Sequence, residues 1–145
     1  ESICRSYANR GKVEVIIIRP THIEFPPEFP ELEARGADVQ NYHLWTYIAP
    51  EDVAEGFRCA VDASDGRHAA YFLAASDGLN TRPTLELLRE RYGALPPVRN
   101  PEYFKRNPCA SLLDGGRARD RLGFEAKIDW RKMVAIRDAA KGKTG

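Results

Sequence analysis

The amino-acid sequence predicts an α/β protein with a parallel sheet. Residues 15–18 are aliphatic without alternation, a pattern typical of a strand that helices cover on both faces. A second apolar strand pattern, at 68–74, lies between two helical patterns that open at Pro50 and Pro83. Proline is favoured at the first position of a helix. Strands that alternate with helices in this way favour parallel pairing.

The beginning of the chain is predicted to hold a helix and a strand. Residues 1–10 match the end of a helix, because Ile3 and Tyr7 share one face and Gly11 can take the left-handed conformation that often follows a helix. Residues 13–19 form the first predicted strand. We expect it to be an interior strand whose preceding neighbours belong to polypeptide outside these 145 residues.

Residues 20–41 are predicted to be mainly loop. Prolines remove backbone donors and interrupt regular pairing, and this segment contains Pro20, Pro26, Pro27 and Pro30. One short helix is expected near 31–35. Residues 43–48 are predicted to form a short strand.

The clearest helical pattern begins at Pro50, where Glu51 and Asp52 place negative charge at the positive end of the helix. Its buried face is predicted to consist of Val53, Phe57, Ala60 and Val61. A turn at 65–66 is expected to lead into a buried strand at 68–74.

The C-terminal half is predicted to contain two more helices. The first opens at Pro83 and ends before Gly93, and its packed face is predicted to be Leu85, Leu88 and Tyr92. An edge strand is expected near Val98 in a proline-rich stretch. Asp114 is the predicted N-cap of the next helix, which ends at Gly123. The basic residues at the end of the chain are expected to form a frayed, solvated terminus.

Charge and hydropathy exclude two classes of partner. The 22 basic and 21 acidic side chains are interspersed, so no nucleic-acid partner and no membrane surface is predicted. The longest aliphatic run, at 15–18, is far shorter than the ~20 residues that span a bilayer.

Neither the cysteines nor the histidines predict a metal site. The cysteines are Cys4, Cys59 and Cys109, and the histidines are His22, His43 and His68. An odd number of widely spaced cysteines indicates reduced thiols, and hence a cytoplasmic protein. The histidines are also far apart in sequence, and no CxxC or HxxxH pair supplies two ligands from one element.

Several short motifs resemble, in order, the second half of NAD-dependent epimerase/dehydratases, which are extended short-chain dehydrogenase/reductases. IRP at 18–20 is similar to the end of the sixth sheet strand of that family. YIAPEDVA at 47–54 is similar to its aromatic-valine pair followed by an Asp-Asp-Val-Ala helix start. SLLD at 111–114 and LGF at 122–124 resemble its closing segment. The resemblance implies a partial Rossmann-like parallel sheet, made of the last strands and helices, plus a small C-terminal substrate-binding lobe.

Two family features are absent from residues 1–145. No GxxGxxG or GxGxxG occurs, so the usual turn that receives a dinucleotide pyrophosphate is missing. None of the six tyrosines is followed four residues later by lysine, so the Tyr-x-x-x-Lys proton-transfer pair is missing too. We therefore predict no catalytic residue here. The resemblance assigns NAD or NADP to the intact parent protein, and none is expected to bind this fragment.

The resemblance also implies a cofactor contact. It assigns the turn formed by Pro20, Thr21, His22 and Ile23 to the nicotinamide amide. The family often carries Asn at the place of His22. A simpler alternative is that Pro20 only terminates a strand.

Substrate contacts are implied at Glu24, Phe25, Trp45, Tyr47 and Arg99. The family often has Tyr-Gly at the places of the first two. Many sugar-nucleotide members carry Arg at the place of Trp45, and its replacement favours a smaller or uncharged substrate. The alternatives are that the two aromatic residues of 45–47 belong to the core and that Arg99 forms a surface ion pair.

The sequence thus predicts the C-terminal, substrate-binding part of an NAD(P)-dependent sugar-type epimerase/dehydratase or reductase, catalytically incomplete by itself. Its expected partners are a nucleotide-sugar or a smaller carbonyl or alcohol, the missing N-terminal half, and a second copy that pairs through an exposed sheet edge. The alternative is a stand-alone, non-catalytic binding or regulatory module derived from the same fold.

Overall fold

A computed structural model describes residues 1–63 and 68–141, so the turn predicted at 65–66 lies outside the described residues. Strands β1 (Ile16–Pro20) and β2 (Ala69–Leu73) pair in parallel. Ile16 lies opposite Ala69, and Pro20 lies opposite Leu73. The α/β class and the parallel pairing are therefore confirmed.

Strand β1 is shorter and less buried than predicted. It begins at Ile16, and its residues are half-buried except for the exposed Pro20. Val13, predicted as the first strand residue, is exposed. Within the described residues β1 pairs only with β2. The prediction that β1 is covered on both faces is therefore wrong within the described residues. Full burial of residues 15–18 would require further strands or helices beside β1.

Helix α1 (Ser2–Asn9) ends where the sequence predicts. Gly11 follows it with φ of 66°, which a residue with a side chain rarely adopts. The apolar face of α1 is solvent-exposed: Ile3 is 75% exposed and Tyr7 is 53% exposed. An ion pair joins Glu1 to Arg19 at the end of β1. Helix α1 therefore carries an apolar face that the described residues do not cover.

The segment after β1 forms a 3₁₀ helix, Pro26–Glu31, and then α2, Leu32–Ala37. Two prolines open the 3₁₀ helix, where no backbone donor is needed. The strand predicted at 43–48 is wrong. Leu44 and Trp45 have φ of 52° and 60°, which breaks the pleat, and only Ile48 of this stretch forms a bridge.

Helix α3 (Pro50–Asp62) begins at Pro50 as predicted, but its buried face is rotated. Phe57 and Val61, predicted to be packed, are 51% and 80% exposed. The residues that face the interior are Asp52, Val53, Gly56, Cys59 and Ala60. A Cβ at Gly56 would lie 2.3 Å from Leu73 Cδ1. The helix therefore packs on β2 through its smallest residue, which an apolar pattern does not reveal.

Helix α4 (Thr84–Tyr92) has the predicted ends. Gly93 terminates it with φ of 73°. Its buried residues are Thr84, Leu87 and Leu88, whereas Tyr92, predicted on the packed face, is 56% exposed. The prediction is thus confirmed for Leu88, and Leu85 is half-buried against the core, but Tyr92 is not part of the packed face.

Helix α5 (Pro101–Arg106) follows the region in which an edge strand was expected near Val98, and that prediction is wrong. Asn100 caps α5 by accepting a hydrogen bond from the Tyr103 backbone. Helix α6 (Gly116–Leu122) begins two residues after Asp114, whose Oδ1 accepts from Gly116 N at 2.8 Å. It ends at Gly123 as predicted, with φ of 67°.

Helix α7 (Trp130–Lys141) corrects the prediction of a frayed terminus. Trp130 and Met133 are buried, and Arg137 pairs with Glu33 at 2.8 Å. The basic residues Arg131, Lys132 and Arg137 therefore belong to a packed helix, whereas Lys143 lies outside the described residues. Within residues 1–63 and 68–141, no helix is both long enough and apolar enough to cross a membrane.

Two apolar clusters hold these elements together. The first includes Leu32, Trp45, Tyr47, Leu79, Leu87 and Met133. The second, around the sheet, includes Ile48, Val53, Tyr71, Leu73, Leu122 and Phe124. The three cysteines are free thiols; the cytoplasmic location inferred from them stays a prediction.

Candidate functional site

The two strands end side by side, and the chain leaves both of them at the same edge of the sheet. Thr21 N donates to Leu73 O at 2.9 Å, which continues the parallel ladder by one step. In parallel α/β sheets, ligands bind outside the carboxyl ends of the strands. A ligand site is therefore expected at the segments that follow Pro20 and Leu73.

A cleft of about 810 Å³ lies beyond the end of β2; we call it the carboxyl-edge cleft. Residues 74–76, directly after β2, form part of its wall. The loop that precedes α5 and the segment that leads into α6 supply the rest, including Arg99, Tyr103, Asp114 and Arg117. Its volume suits a small organic ligand.

Two arginines give the carboxyl-edge cleft positive groups. The Arg99 side chain forms no ion pair with any described residue. Arg117 lies over the Tyr71 ring, with its guanidinium carbon 5.2 Å from the ring centroid, and donates to Ala70 O at 3.3 Å. The surface ion pair weighed as an alternative for Arg99 is therefore not formed within the described part of the chain.

Trp45 and Tyr47, predicted to wall a substrate pocket, are fully buried in the first apolar cluster. The Trp45 indole donates to Asp38 O at 2.9 Å. The Tyr47 hydroxyl donates to Asp77 Oδ1 at 2.8 Å, and Asp77 Oδ2 also accepts from Arg131. Burial, reinforced by the Asp77 charge, raises the pKa of Tyr47 well above its ordinary value. Its hydroxyl therefore stays protonated and serves as a structural donor.

The turn predicted to meet the nicotinamide is well anchored. Pro20 is the last residue of β1, and Ile23 forms a parallel bridge with Ile48. The Thr21 hydroxyl is buried without a hydrogen-bond partner in the described structure. Phe25, predicted to touch substrate, is half exposed. None of these residues lines the carboxyl-edge cleft, so the structure separates this turn from Arg99.

His22, Glu24 and Glu28 converge at the exit from β1; we call them the His22 cluster. His22 Nε2 lies 3.1 Å from Glu28 Oε1 and 3.8 Å from Glu24 Oε1. Glu24 is fully buried, and its Oε2 accepts from Arg35 Nη1 at 2.8 Å. A groove of about 310 Å³ opens beside the cluster.

The protonation equilibria of the two carboxyl groups in the His22 cluster differ. Burial raises the pKa of Glu24, although Arg35 and His22 oppose that shift. The hydrogen bond that Glu28 accepts from Phe25 N at 3.0 Å holds the pKa of Glu28 below its ordinary value. In this cluster Glu28 is therefore readily ionised, whereas burial makes the charged form of Glu24 less favourable.

The sequence analysis did not predict this cluster, because it considered only the spacing between histidines and not the spacing between a histidine and a carboxylate. His43, distant in sequence from His22, lies with its ring centroid 4.0 Å away from that of His22. The useful signal was the alternation of His22 and Glu24 in an extended segment, which places both side chains on one side. Glu28 and Arg35 could not be placed from sequence, because the 3₁₀ helix and α2 bring them in.

Comparison of the chain with protein-family models, with curated proteins and with solved structures gives no match. The resemblance to epimerase/dehydratases therefore depends on the sequence motifs alone.

Proposed function

We propose that this chain is the substrate-side part of an NAD(P)-dependent epimerase/dehydratase or a related reductase. The observation that carries the proposal is the carboxyl-edge cleft at the end of a parallel β1–α3–β2 unit. This is the position at which Rossmann-like sheets bind ligands. The motifs at 18–20 and 47–54, from which the resemblance was inferred, end β1 and open α3 respectively.

The open edge of β1 supports the incomplete-sheet part of the proposal. A half-buried aliphatic strand with one partner exposes backbone donors and acceptors along its other side. The exposed apolar residues Ile3, Tyr7 and Val13 lie in the same N-terminal part of the chain. We infer that strands from outside these 145 residues cover this edge in the parent enzyme and carry the NAD or NADP site with the catalytic pair.

The carboxyl-edge cleft would receive the substrate. Arg99 and Arg117 supply cationic donors, which suit the diphosphate of a nucleotide-sugar or the carboxylate of a smaller alcohol or carbonyl compound. Trp45 would support the cleft from the core instead of touching the ligand. The turn from Pro20 to Ile23 leaves the same edge and would face the cofactor.

The first test uses the complete reading frame that contains these residues. It should encode a glycine-rich strand–turn–helix and a Tyr-x-x-x-Lys pair, and its product should bind NAD⁺ or NADP⁺ in a fluorescence titration. A reading frame that lacks both motifs would overturn the enzyme and favour the stand-alone binding module.

The second test addresses the cleft. With UDP-glucose and UDP-galactose as probes, Arg99→Ala in the full-length product should weaken binding about tenfold, as expected for loss of a charge-assisted contact. Arg89→Ala is the matched control, because Arg89 is an exposed arginine of α4 outside the cleft. Equal affinity of both variants for every probe bound by the unmodified protein would exclude Arg99 from the site.

A further inference from the structure

The His22 cluster has the donor set of a transition-metal site. One imidazole nitrogen and two carboxylate oxygens lie within 4.8 Å of one another. Imidazole together with carboxylates suits divalent first-row metals such as zinc. None of these donors belongs to the carboxyl-edge cleft.

The two separations from the His22 nitrogen are close to the one that a single ion requires. Two ligand atoms at about 2.1 Å from a tetrahedral zinc ion lie roughly 3.4 Å apart. His22 Nε2 is 3.1 Å from Glu28 Oε1 and 3.8 Å from Glu24 Oε1, one value on each side of that distance. The third separation, between the two carboxylates, is at most 4.8 Å, so the ion would need to draw them together by no more than about 1.4 Å.

The second oxygen of each carboxylate is held by the protein. Glu24 Oε2 accepts from Arg35 Nη1, and Glu28 Oε2 accepts from Phe25 N. These contacts orient the carboxylates so that each Oε1 faces His22 Nε2. Outer contacts of this kind fix metal ligands in known metal sites.

The burial of Glu24 is a separate observation that favours cation binding. Glu24 is 0% exposed, and its Oε1 has no hydrogen-bond partner among the described residues. An unpartnered buried carboxylate oxygen is costly. Among the described residues, Arg35 is the cationic group that donates a hydrogen bond to Glu24, and it reaches Oε2. Glu24 Oε1 lies 3.8 Å from His22 Nε2 instead.

We propose that His22, Glu24 and Glu28 bind one divalent transition-metal ion, with zinc as the reference ion. Three protein donors leave a coordination position for water on the side of the groove that His22 and Glu28 line. The ion would tie the exit of β1 to the 3₁₀ helix. This proposal depends on the chain's own side chains and not on the proposed dehydrogenase activity.

The experiment titrates Zn²⁺ into the metal-stripped 145-residue chain and follows binding by calorimetry. We expect one Zn²⁺ per chain and an increase in the melting temperature when Zn²⁺ is added. His22→Ala and Glu28→Gln should each lower the affinity at least tenfold. Glu31→Gln is the control, because Glu31 is an exposed carboxylate on the same groove outside the cluster.

The free thiols need their own control, since thiolates also bind zinc. A Cys4→Ser/Cys109→Ser double variant should keep the full affinity. The proposal fails if the unmodified chain binds no Zn²⁺, if binding follows the cysteines, or if His22→Ala and Glu28→Gln bind as tightly as Glu31→Gln. Circular dichroism of each variant confirms that it remains folded. None of these outcomes bears on whether the full-length product binds NAD⁺ or NADP⁺. The metal-site proposal and the proposed function can therefore fail independently.

Discussion

The hydroxyl of Tyr47 accepts a hydrogen bond from the backbone N–H of Trp130 at 2.9 Å, across 83 positions of sequence. The same hydroxyl donates to Asp77 at 2.8 Å. One buried phenol therefore connects the loop before α3, the loop after β2 and the first turn of α7. This contact explains how the C-terminal helix is fixed to the core.

Tyr47→Phe should destabilise the fold by about 1–3 kcal/mol, because it leaves the Trp130 N–H without its partner in the interior. The free energy of unfolding in urea measures the effect. Tyr42→Phe is the matched control, since Tyr42 is 78% exposed and should change stability by less than about 0.5 kcal/mol. Similar stabilities for the two variants would show that the contact contributes little.

Asp52→Ala should lower the free energy of unfolding more than Glu51→Ala, although both residues lie in the first turn of α3. The buried Asp52 carboxylate accepts from Lys127 N at 3.1 Å and from Ile128 N at 2.9 Å. Its loss should cost about 2–3 kcal/mol, since bonds to a charged acceptor are stronger than neutral ones. Glu51 is exposed. Chemical denaturation of both variants tests the order, and a larger loss for Glu51→Ala would contradict it.

Gly36→Ala tests the close approach of α2 to the loop before α4. A Cβ at this position would lie 2.3 Å from the Leu79 carbonyl oxygen, and backbone cannot yield as a side chain does. We expect a loss of about 1–3 kcal/mol. Gly115→Ala is the control because a Cβ there meets nothing within 4 Å and φ is −80°. Equal melting temperatures for Gly36→Ala and Gly115→Ala would contradict this expectation. They would mean that the backbone around Leu79 shifts to relieve the clash at little cost.

Glu55 should titrate at unusually low pH. Its hydrogen bonds to Arg58 lower the pKa to about 2 from an ordinary 4.5. The folded-state pKa is thus below the unfolded one, so this pair stabilises the protein above pH 4.5 and loses its effect as the pH falls toward 2. Carboxyl chemical shifts measured against pH should show Arg58→Ala returning the pKa toward 4.5.

Salt provides the check on that titration. The Glu55–Arg58 pair is solvent-accessible, so added salt should raise the Glu55 pKa in the unmodified chain. Added salt should change the Glu55 pKa less in Arg58→Ala, because the cation that is screened is absent. A Glu55 pKa that is the same in both proteins would assign the shift to another group.

The helix ends that sequence predicted correctly depend on local chemistry. Pro50 suits a first helical position, and Gly93 and Gly123 take left-handed conformations after helices. Helix faces were predicted less well. Phe57 and Tyr92 match the apolar period yet are exposed, because small or polar residues such as Gly56 and Thr84 occupy the packed positions.

The strand wrongly predicted at 43–48 also reflects tertiary contacts that the local sequence pattern does not reveal. Alternating aromatic residues favour a strand locally, but Trp45 takes a left-handed conformation and its indole donates to Asp38 O. Contacts with residues outside this stretch, including the hydrogen bond from Leu79 N to Trp45 O at 2.9 Å, outweighed the local preference. Of the candidate site residues, Arg99 lines the cleft, whereas Trp45 belongs to the core.

The sequence by itself determined the α/β class, the two parallel strands and the start of α3, because proline, glycine and unbroken aliphatic runs act on the backbone within a few residues. Only the tertiary structure decided that Glu28 and Arg35 meet His22 and Glu24. Those side chains approach one another through the packing of the 3₁₀ helix and α2 against the exit of β1, and no local spacing encodes that contact.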